Sequence, residues 1–242
     1  MAQQRPDRGD GRDGRDGHGG RVRPDRRHLA LAGYVSGPAA ATEATVRAHR
    51  RVAALDPATV VLVEGISDQI AVEALARRQG IDLDAAGAVV VPIGGAQAIT
   101  AAVHRFSAEG DGRRLTGRRL IGRRLVGLCD EAEAPVFARA VERVAPSGFR
   151  FHVCLADLED ELIRAVGLAA AEALLERQGD LGSFRTLQKQ PAWRGREPAA
   201  QLRRFIGAGS RRKSRYGRLL VETLDPARVP APLQALMDDV GG

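Results

Sequence analysis

Between residues 59 and 168, short and almost wholly apolar runs alternate with longer runs whose apolar positions recur at three- and four-residue steps. The short runs are "TVVLVEG" (59–65), "GAVVVPIGG" (87–95), "RRLVGLCD" (123–130) and "GFRFHVCLAD" (148–157). Their Val-rich interiors and their Gly, Pro or Asp boundaries predict four buried strands. Helices are predicted between them: "SDQIAVEALARRQG" (67–80), with Ile70, Ala71, Ala74 and Leu75 on one face and a stop at Gly80, then "AQAITAAVHRFS" (96–107), "EAPVFARAVERV" (133–144) and "LEDELIRAVG" (158–167). Strands that are apolar throughout and joined through helices make a parallel sheet with right-handed crossovers and both faces covered. The expected class is α/β, a Rossmann-like sheet of about four parallel strands flanked by helices.

Ahead of the sheet, residues 29–57 read as a helical lead-in, with "EATVRAHRRVAAL" (43–55) carrying Val46, His49, Val52 and Leu55 at three-residue steps. After residue 168 no strand pattern follows. Helices are expected over 169–178, 181–190, 198–207, 210–223 and 231–239, making 169–242 an all-helical C-terminal extension. Residues 1–28 are Arg/Asp/Gly low complexity, too polar to bury a core, and are expected to be disordered. Residues 111–124 hold the tandem Gly-Arg-Arg-Leu repeat of "GRRLTGRRLIGRRLVG", a basic insertion between the second helix and the third strand. It reads either as a loop facing nucleic acid or as an expansion tolerated in a surface loop.

Composition narrows the class. With 242 residues and 44% hydrophobic content the chain can bury one sizeable core, and with 4% aromatics that core is aliphatic. No apolar run approaches the ~20 residues that span a bilayer. Cys129 and Cys154 sit in strand runs and form no disulfide or metal spacing, and "MAQQRPDRGDGRDGRDGHGG" has no apolar signal region, so a reduced, cytoplasmic protein is expected. The net charge of +7 is unevenly spread: residues 180–220 hold nine Arg and two Lys against Asp180 and Glu197. An acidic front half and a basic back half is the informative asymmetry.

The acids fall at one kind of place. Glu64 closes the first strand, with Asp68 four residues on; Asp130 closes the third, with Glu131 and Glu133 behind it; Asp157 closes the fourth, followed by Glu159, Asp160 and Glu161. Open parallel sheets bind ligands beyond the carboxyl ends of their strands. Carboxylates gathered there repel one another unless a cation sits among them, and hard divalent ions prefer oxygen ligands. Metal-dependent chemistry on phosphate esters is the function this pattern points to. Helix capping and the macrodipole account equally for Asp157, Asp160, Glu161, Glu131 and Glu133, but poorly for Glu64, since the better cap there is Ser67.

The segments "VLVEGISD" (61–68), "VVPIGGAQAI" (90–99), "LVGLCDEAE" (125–133) and "LADLEDEL" (155–162) together resemble the Toprim (topoisomerase–primase) domain of the OLD (overcoming lysogenization defect) nucleases. The likeness covers about residues 58–168, which makes that span a Toprim-like catalytic domain, here without the ATPase domain of full-length OLD enzymes. It implies Mg²⁺- or Mn²⁺-dependent cleavage of nucleic acid, DNA being the expected form, with one or two ions. By this resemblance Glu64 is the catalytic acid/base and a metal ligand, Asp68 a further metal carboxylate, Asp130 the first Asp of an Asp-x-Asp pair, and Asp157 and Glu159 the later acidic pair. The second Asp falls at Ala132; Glu133, one residue late, or Glu131 would have to substitute.

The resemblance also implies a lysine from the helices after the sheet. The two lysines are Lys189 and Lys213, and Lys213, in "SRRKSRYGRLL", is the candidate catalytic one. Lys189, Arg211, Arg212 and Arg215 are candidate nucleic-acid contacts. "GAGSRRKS" (207–214) mimics a phosphate-binding loop, but Arg212 stands where the glycine before the lysine is needed, so ATP binding is rejected. "IGGAQAI" lacks the third glycine of a dinucleotide fingerprint, Trp193 reads as a packing residue, and His104 and His152 read as structural. The expected protein is therefore a nuclease without membrane contact, open to homodimerisation and to an ATPase partner in trans. Two rivals remain: a catalytically impaired Toprim protein that binds nucleic acid or such a partner, and a plain nucleotide-binding module in which Glu64, Asp130 and Glu159 lie apart.

Overall fold

Thr59–Val63 (β1) is buried at every residue, as is Ala88–Pro92 (β2), and the Val-rich sequences leave neither strand a solvent face. Arg124–Asp130 (β3) and Phe149–Cys154 (β4) complete a parallel sheet in the order β2-β1-β3-β4. This computed structural model describes residues 40–107, 123–144 and 149–241. The low-complexity tail, the start of the lead-in and residues 111–122 of the basic repeat lie outside the described residues.

Successive strand residues point to opposite faces, so each strand feeds two cores. Val60, Leu62, Val89, Val91, Leu125 and Cys129 face Ala40–Leu55 (α1), Ile99–Phe106 (α3) and Ala134–Val144 (α4). On this side Phe137, Phe149 and Phe151 gather over Gly127, with ring centroids 5.7–6.3 Å apart. A Cβ at Gly127 would lie 2.9 Å from Phe149 Cζ, so the aromatic cluster requires a glycine there.

Val61, Val63, Val90, Val126, Leu128 and Cys154 face the other way. They pack with Ile66–Arg78 (α2), Leu158–Val166 (α5), Leu168–Arg177 (α6), Leu181–Lys189 (α7), Pro198–Gly207 (α8), Ser210–Thr223 (α9) and Ala231–Gly241 (α10). The helices after residue 168 thus share a core with the sheet. α2 lies between the sheet and α9 and is buried almost all round, including Ser67, Asp68 and Gln69. Among the described residues no helix is long and apolar enough to cross a membrane.

Two details depart from the sequence reading. α1 buries Ala44, Ala48 and Val52, while Val46 and Leu55 are exposed. Steps of three lag a full turn by about 60°, so nine residues carry the face to the opposite side of the helix, whereas steps of four nearly return to it. The cap of α2 is Gly65 rather than Ser67: the Gly65 N–H donates to Asp68 Oδ2 at 2.8 Å.

Candidate active site

β1 stops at Val63, and the Glu64 carbonyl accepts N–H groups from Gly94 and Gly95 at 3.0 and 2.9 Å. Both glycines have positive φ, +83° and +112°, which is why the turn after β2 needs them. The Glu64 side chain crosses to the next strand, its Oε1 accepting the Asp130 N–H at 3.1 Å. Two strand ends are tied by the one carboxylate whose position capping could not explain.

Asp68, buried on α2, receives the Gly65 N–H and, at 3.4 Å, the Ser67 hydroxyl. Asp157 caps α5, its Oδ1 accepting the Asp160 N–H at 2.8 Å. Ala156 before it takes φ +65°, and the Leu155 N–H is fixed by Glu161 Oε1 at 2.8 Å, so this loop is held in a strained shape. Glu159 is 2% exposed. Its Oε2 lies 3.2 Å from Lys213 Nζ, and its Oε1 has no hydrogen-bond partner among the described residues.

These groups act on one another through their charges. Burial pushes the Asp130 carboxyl up to about 7, reinforced by the charges of Glu64, Asp68 and Asp157. Glu159 is raised to about 7 by burial, against the pull of Lys213, with Asp68 and Asp157 adding repulsion. Glu64 and Asp68 are raised for the same first reason, loss of water; Asp68 and Glu133 add to it at Glu64, and Asp157 at Asp68. Burial opposes the Lys213 ammonium, but Glu159, Asp68 and Asp130 outweigh it and hold its pKa above the ordinary lysine value.

Glu64, Asp68, Asp130, Glu133, Asp157, Glu159 and Lys213 therefore converge on the carboxyl edge of the sheet, the reverse of the scattering a plain nucleotide-binding module would show. Glu133, half-buried, is the acid whose charge reaches Glu64; Glu131 and Ala132 are exposed.

The other candidates separate. Arg215 is buried, paired with Asp180, its guanidinium over the Tyr216 ring at 4.9 Å. Tyr216 also donates to Asp180, at 2.8 Å. Arg215 is committed to the fold and cannot present its charge to a phosphate. Arg212 donates to the Phe205 carbonyl at 3.0 Å and stacks on that ring, while Arg211 and Lys189 are exposed. His152 pairs with Asp239 on α10 at 2.8 Å, a structural contact. Arg203, singled out by nothing in the sequence, donates from Nε to Asp157 Oδ2 at 2.5 Å.

The site is short of positive charge, and its donors are carboxylate oxygens, which suits a hard divalent cation. Among the described residues no group of three or more His, Cys, Asp or Glu side chains is placed to hold a metal ion together. Mg²⁺ needs none, since it is held by one or two carboxylates and keeps several waters. The unpartnered Glu159 Oε1 is a buried acceptor of the kind such an ion or its water would satisfy.

Residues 58–110 match the family model for the overcoming lysogenization defect protein-like TOPRIM domain. Over that span the chain is similar to an OLD-like Toprim domain. Its matched span runs from β1 through α3 and includes Glu64, Asp68 and the Gly94–Gly95 turn. The fold is similar to the C-terminal region of the Burkholderia pseudomallei OLD protein, with a TM-score of 0.54 at 17% identity over 76% of this chain and 96% of that one. It is also similar to the C-terminal region of the Xanthomonas campestris pv. campestris OLD protein, in its mercury-phased structure, with a TM-score of 0.50 at 20% identity over 76% and 95%. Among curated proteins none matches the chain significantly. At such identities the likeness to solved structures speaks for the fold alone.

Proposed function

We propose that this protein is a divalent-metal-dependent nuclease that hydrolyses phosphodiester bonds in nucleic acid, with DNA as the expected substrate. The observation that carries the reading is the convergence of Glu64, Asp68, Asp130 and Glu159 around Lys213, in a setting that raises every one of the four carboxyl pKa values. Raised carboxylates without enough positive charge are what a cation-binding site looks like before its ion arrives. Glu64, Asp68, Asp130, Glu133 and Glu159 are the acids from which one or two carboxylates would hold each Mg²⁺ or Mn²⁺ ion, as one ion or two. Asp157, like Asp68, already accepts hydrogen bonds at both oxygens, in its case from the Asp160 N–H and from Arg203 Nε. When bound, such an ion supplies Lewis-acid polarisation of a phosphoryl group and acidifies water.

The chain's own residues supply the rest. Glu64, raised by burial yet fixed by the Asp130 N–H, is suited to take a proton at Oε2 and pass it on. Lys213 holds a permanent positive charge against the buried acids and offsets the charge that develops on a leaving oxygen. Arg211 and Lys189, exposed on the basic helices, are the proposed backbone contacts, giving binding that weakens steeply with salt.

The test is cleavage of supercoiled plasmid in Mg²⁺ and in Mn²⁺ by wild type and Glu64→Ala. Wild-type nicking that the variant loses supports the reading; no cleavage in either metal defeats it. A second reading, a Toprim protein that binds nucleic acid or an ATPase partner in trans without cutting, is favoured by Ala132, which leaves the second Asp position of the Asp-x-Asp pair without a carboxylate. Metal-independent DNA binding with no nicking would select it.

A further inference from the structure

Arg203 is placed unlike the other arginines of the basic helices. Arg185 pairs with Glu172, Arg212 with the Phe205 carbonyl, Arg215 with Asp180 and Arg218 with Glu222. Arg203 is anchored through Nε alone, and its two terminal nitrogens have no hydrogen-bond partner among the described residues. Its side chain is 41% exposed and that of Asp157 is 16% exposed, so the guanidinium sits where the buried acids meet solvent. The carboxylates acting on it are Asp157, Asp160 and Asp130, which belong to the rim of the acid cluster.

We propose that Arg203 is a phosphate-clamping residue, its two terminal nitrogens receiving the non-bridging oxygens of the phosphodiester held beside Asp130, with Asp157 as the positioning residue that aims it. The inference rests on the nuclease reading and adds the group that orients the scissile phosphate. A guanidinium offers a planar fork that matches two phosphate oxygens, and a fork already fixed at Nε loses little freedom when it binds. Asp157 is fixed in turn by the Asp160 N–H at the start of α5, so the aim is set by a helix end. Lys213 has a different part, since its ammonium lies 3.2 Å from buried Glu159 Oε2 and carries no planar fork.

The experiment measures cleavage kinetics on a fluorescently labelled DNA duplex, and anisotropy binding of the same duplex in EDTA, for wild type, Arg203→Lys, Arg203→Ala and Asp157→Asn. Arg203→Lys, which keeps the charge but loses the fork, is expected to raise KM and weaken metal-free binding on the order of tenfold, and Arg203→Ala more. Ethylguanidinium is expected to restore part of the Arg203→Ala activity and to leave wild type unchanged. Asp157→Asn is expected to raise KM with Arg203 intact. Circular dichroism melts identify folded variants, and Arg203→Lys carries the test if the alanine variant does not fold. Unchanged KM and unchanged binding in the folded Arg203 variants, with wild type cutting normally, overturn the clamp and leave the nuclease reading standing. A wild type that neither cuts nor binds the duplex overturns the nuclease reading and the clamp together.

Discussion

Lys213 Nζ lies 3.2 Å from Glu159 Oε2, joining the first half of α9 to the first turn of α5 beneath the acid cluster. Glu159 is almost wholly buried, Lys213 about one-third exposed, and the pair is the internal counter-charge of the site. Lys213→Met therefore leaves a buried acid without its partner. The expected loss is about 1–3 kcal/mol of stability, discounted for the exposure of the lysine, together with loss of cleavage. Lys213→Met/Glu159→Gln is expected to regain much of the stability and none of the activity. Urea unfolding monitored by circular dichroism measures the first, plasmid nicking the second.

The raised carboxyls give stability a direction with pH. Asp130 and Glu159, at about 7, bind protons in the folded state that they have released in the unfolded chain between about pH 4 and 7. A folded state that holds more protons is favoured by acid, so the contribution of these groups is fully present below the unfolded values and is lost as pH rises through 7. On the proposed reading, a divalent ion bound there would take the place of those protons. The melting temperature without metal is expected to fall between pH 5 and 8, and Mg²⁺ to raise it more at pH 8 than at pH 5.5. Equal shifts at the two pH values would mean that the ion binds elsewhere.

Glu133 and Glu131 are two residues apart and have unequal parts. Glu133 is half-buried and bears on Glu64, whereas Glu131 is exposed. Glu133→Ala is expected to weaken Mg²⁺ binding on the order of tenfold by calorimetry, a typical cost for a group supporting a metal site, while Glu131→Ala is silent. The reverse result would place the substitute for the missing second Asp at Glu131.

The strands and the acid edge were legible because they rest on local pattern. "TVVLV" and "AVVVP" are apolar throughout, and an acid such as Glu64 directly after such a run has only the sheet edge to occupy. That Lys213 reaches the acids came from family resemblance, since its neighbours Arg211, Arg212 and Arg215 look alike in sequence. What separates them is the phase of α9 against α2 and α8: Arg215 faces the interior and Asp180, and Arg211 faces solvent. Arg203 was illegible for a similar reason. Its neighbour Arg204 is exposed, and only the packing of Leu202 and Ile206 turns Arg203 toward Asp157.

Gly127 provides a test of packing away from the chemistry. An alanine Cβ there would meet Phe149 Cζ at 2.9 Å, Phe151 Cβ at 3.0 Å and Phe137 Cε1 at 3.2 Å, on the sheet face opposite α2 and α9. Gly127→Ala is expected to cost about 1–3 kcal/mol through overpacking. Metal affinity at saturating folded protein should be unchanged. Unaltered urea unfolding would show that the three rings can move aside.

Arg215 and Arg211 stand four residues apart on α9 and make opposite predictions. Arg215→Ala removes the guanidinium paired with buried Asp180, an expected loss of about 3 kcal/mol. Any fall in DNA binding by this variant should follow its folded fraction. Arg211→Ala leaves the melting temperature unchanged, because the side chain is exposed. It is expected to lower duplex affinity and to reduce the slope of log K against log salt by about 1, the signature of one lost phosphate contact. Anisotropy titrations at several salt concentrations, with melts of both variants, separate the two. An Arg215→Ala protein that melts like wild type but loses salt-dependent binding would put its guanidinium back at the nucleic-acid surface.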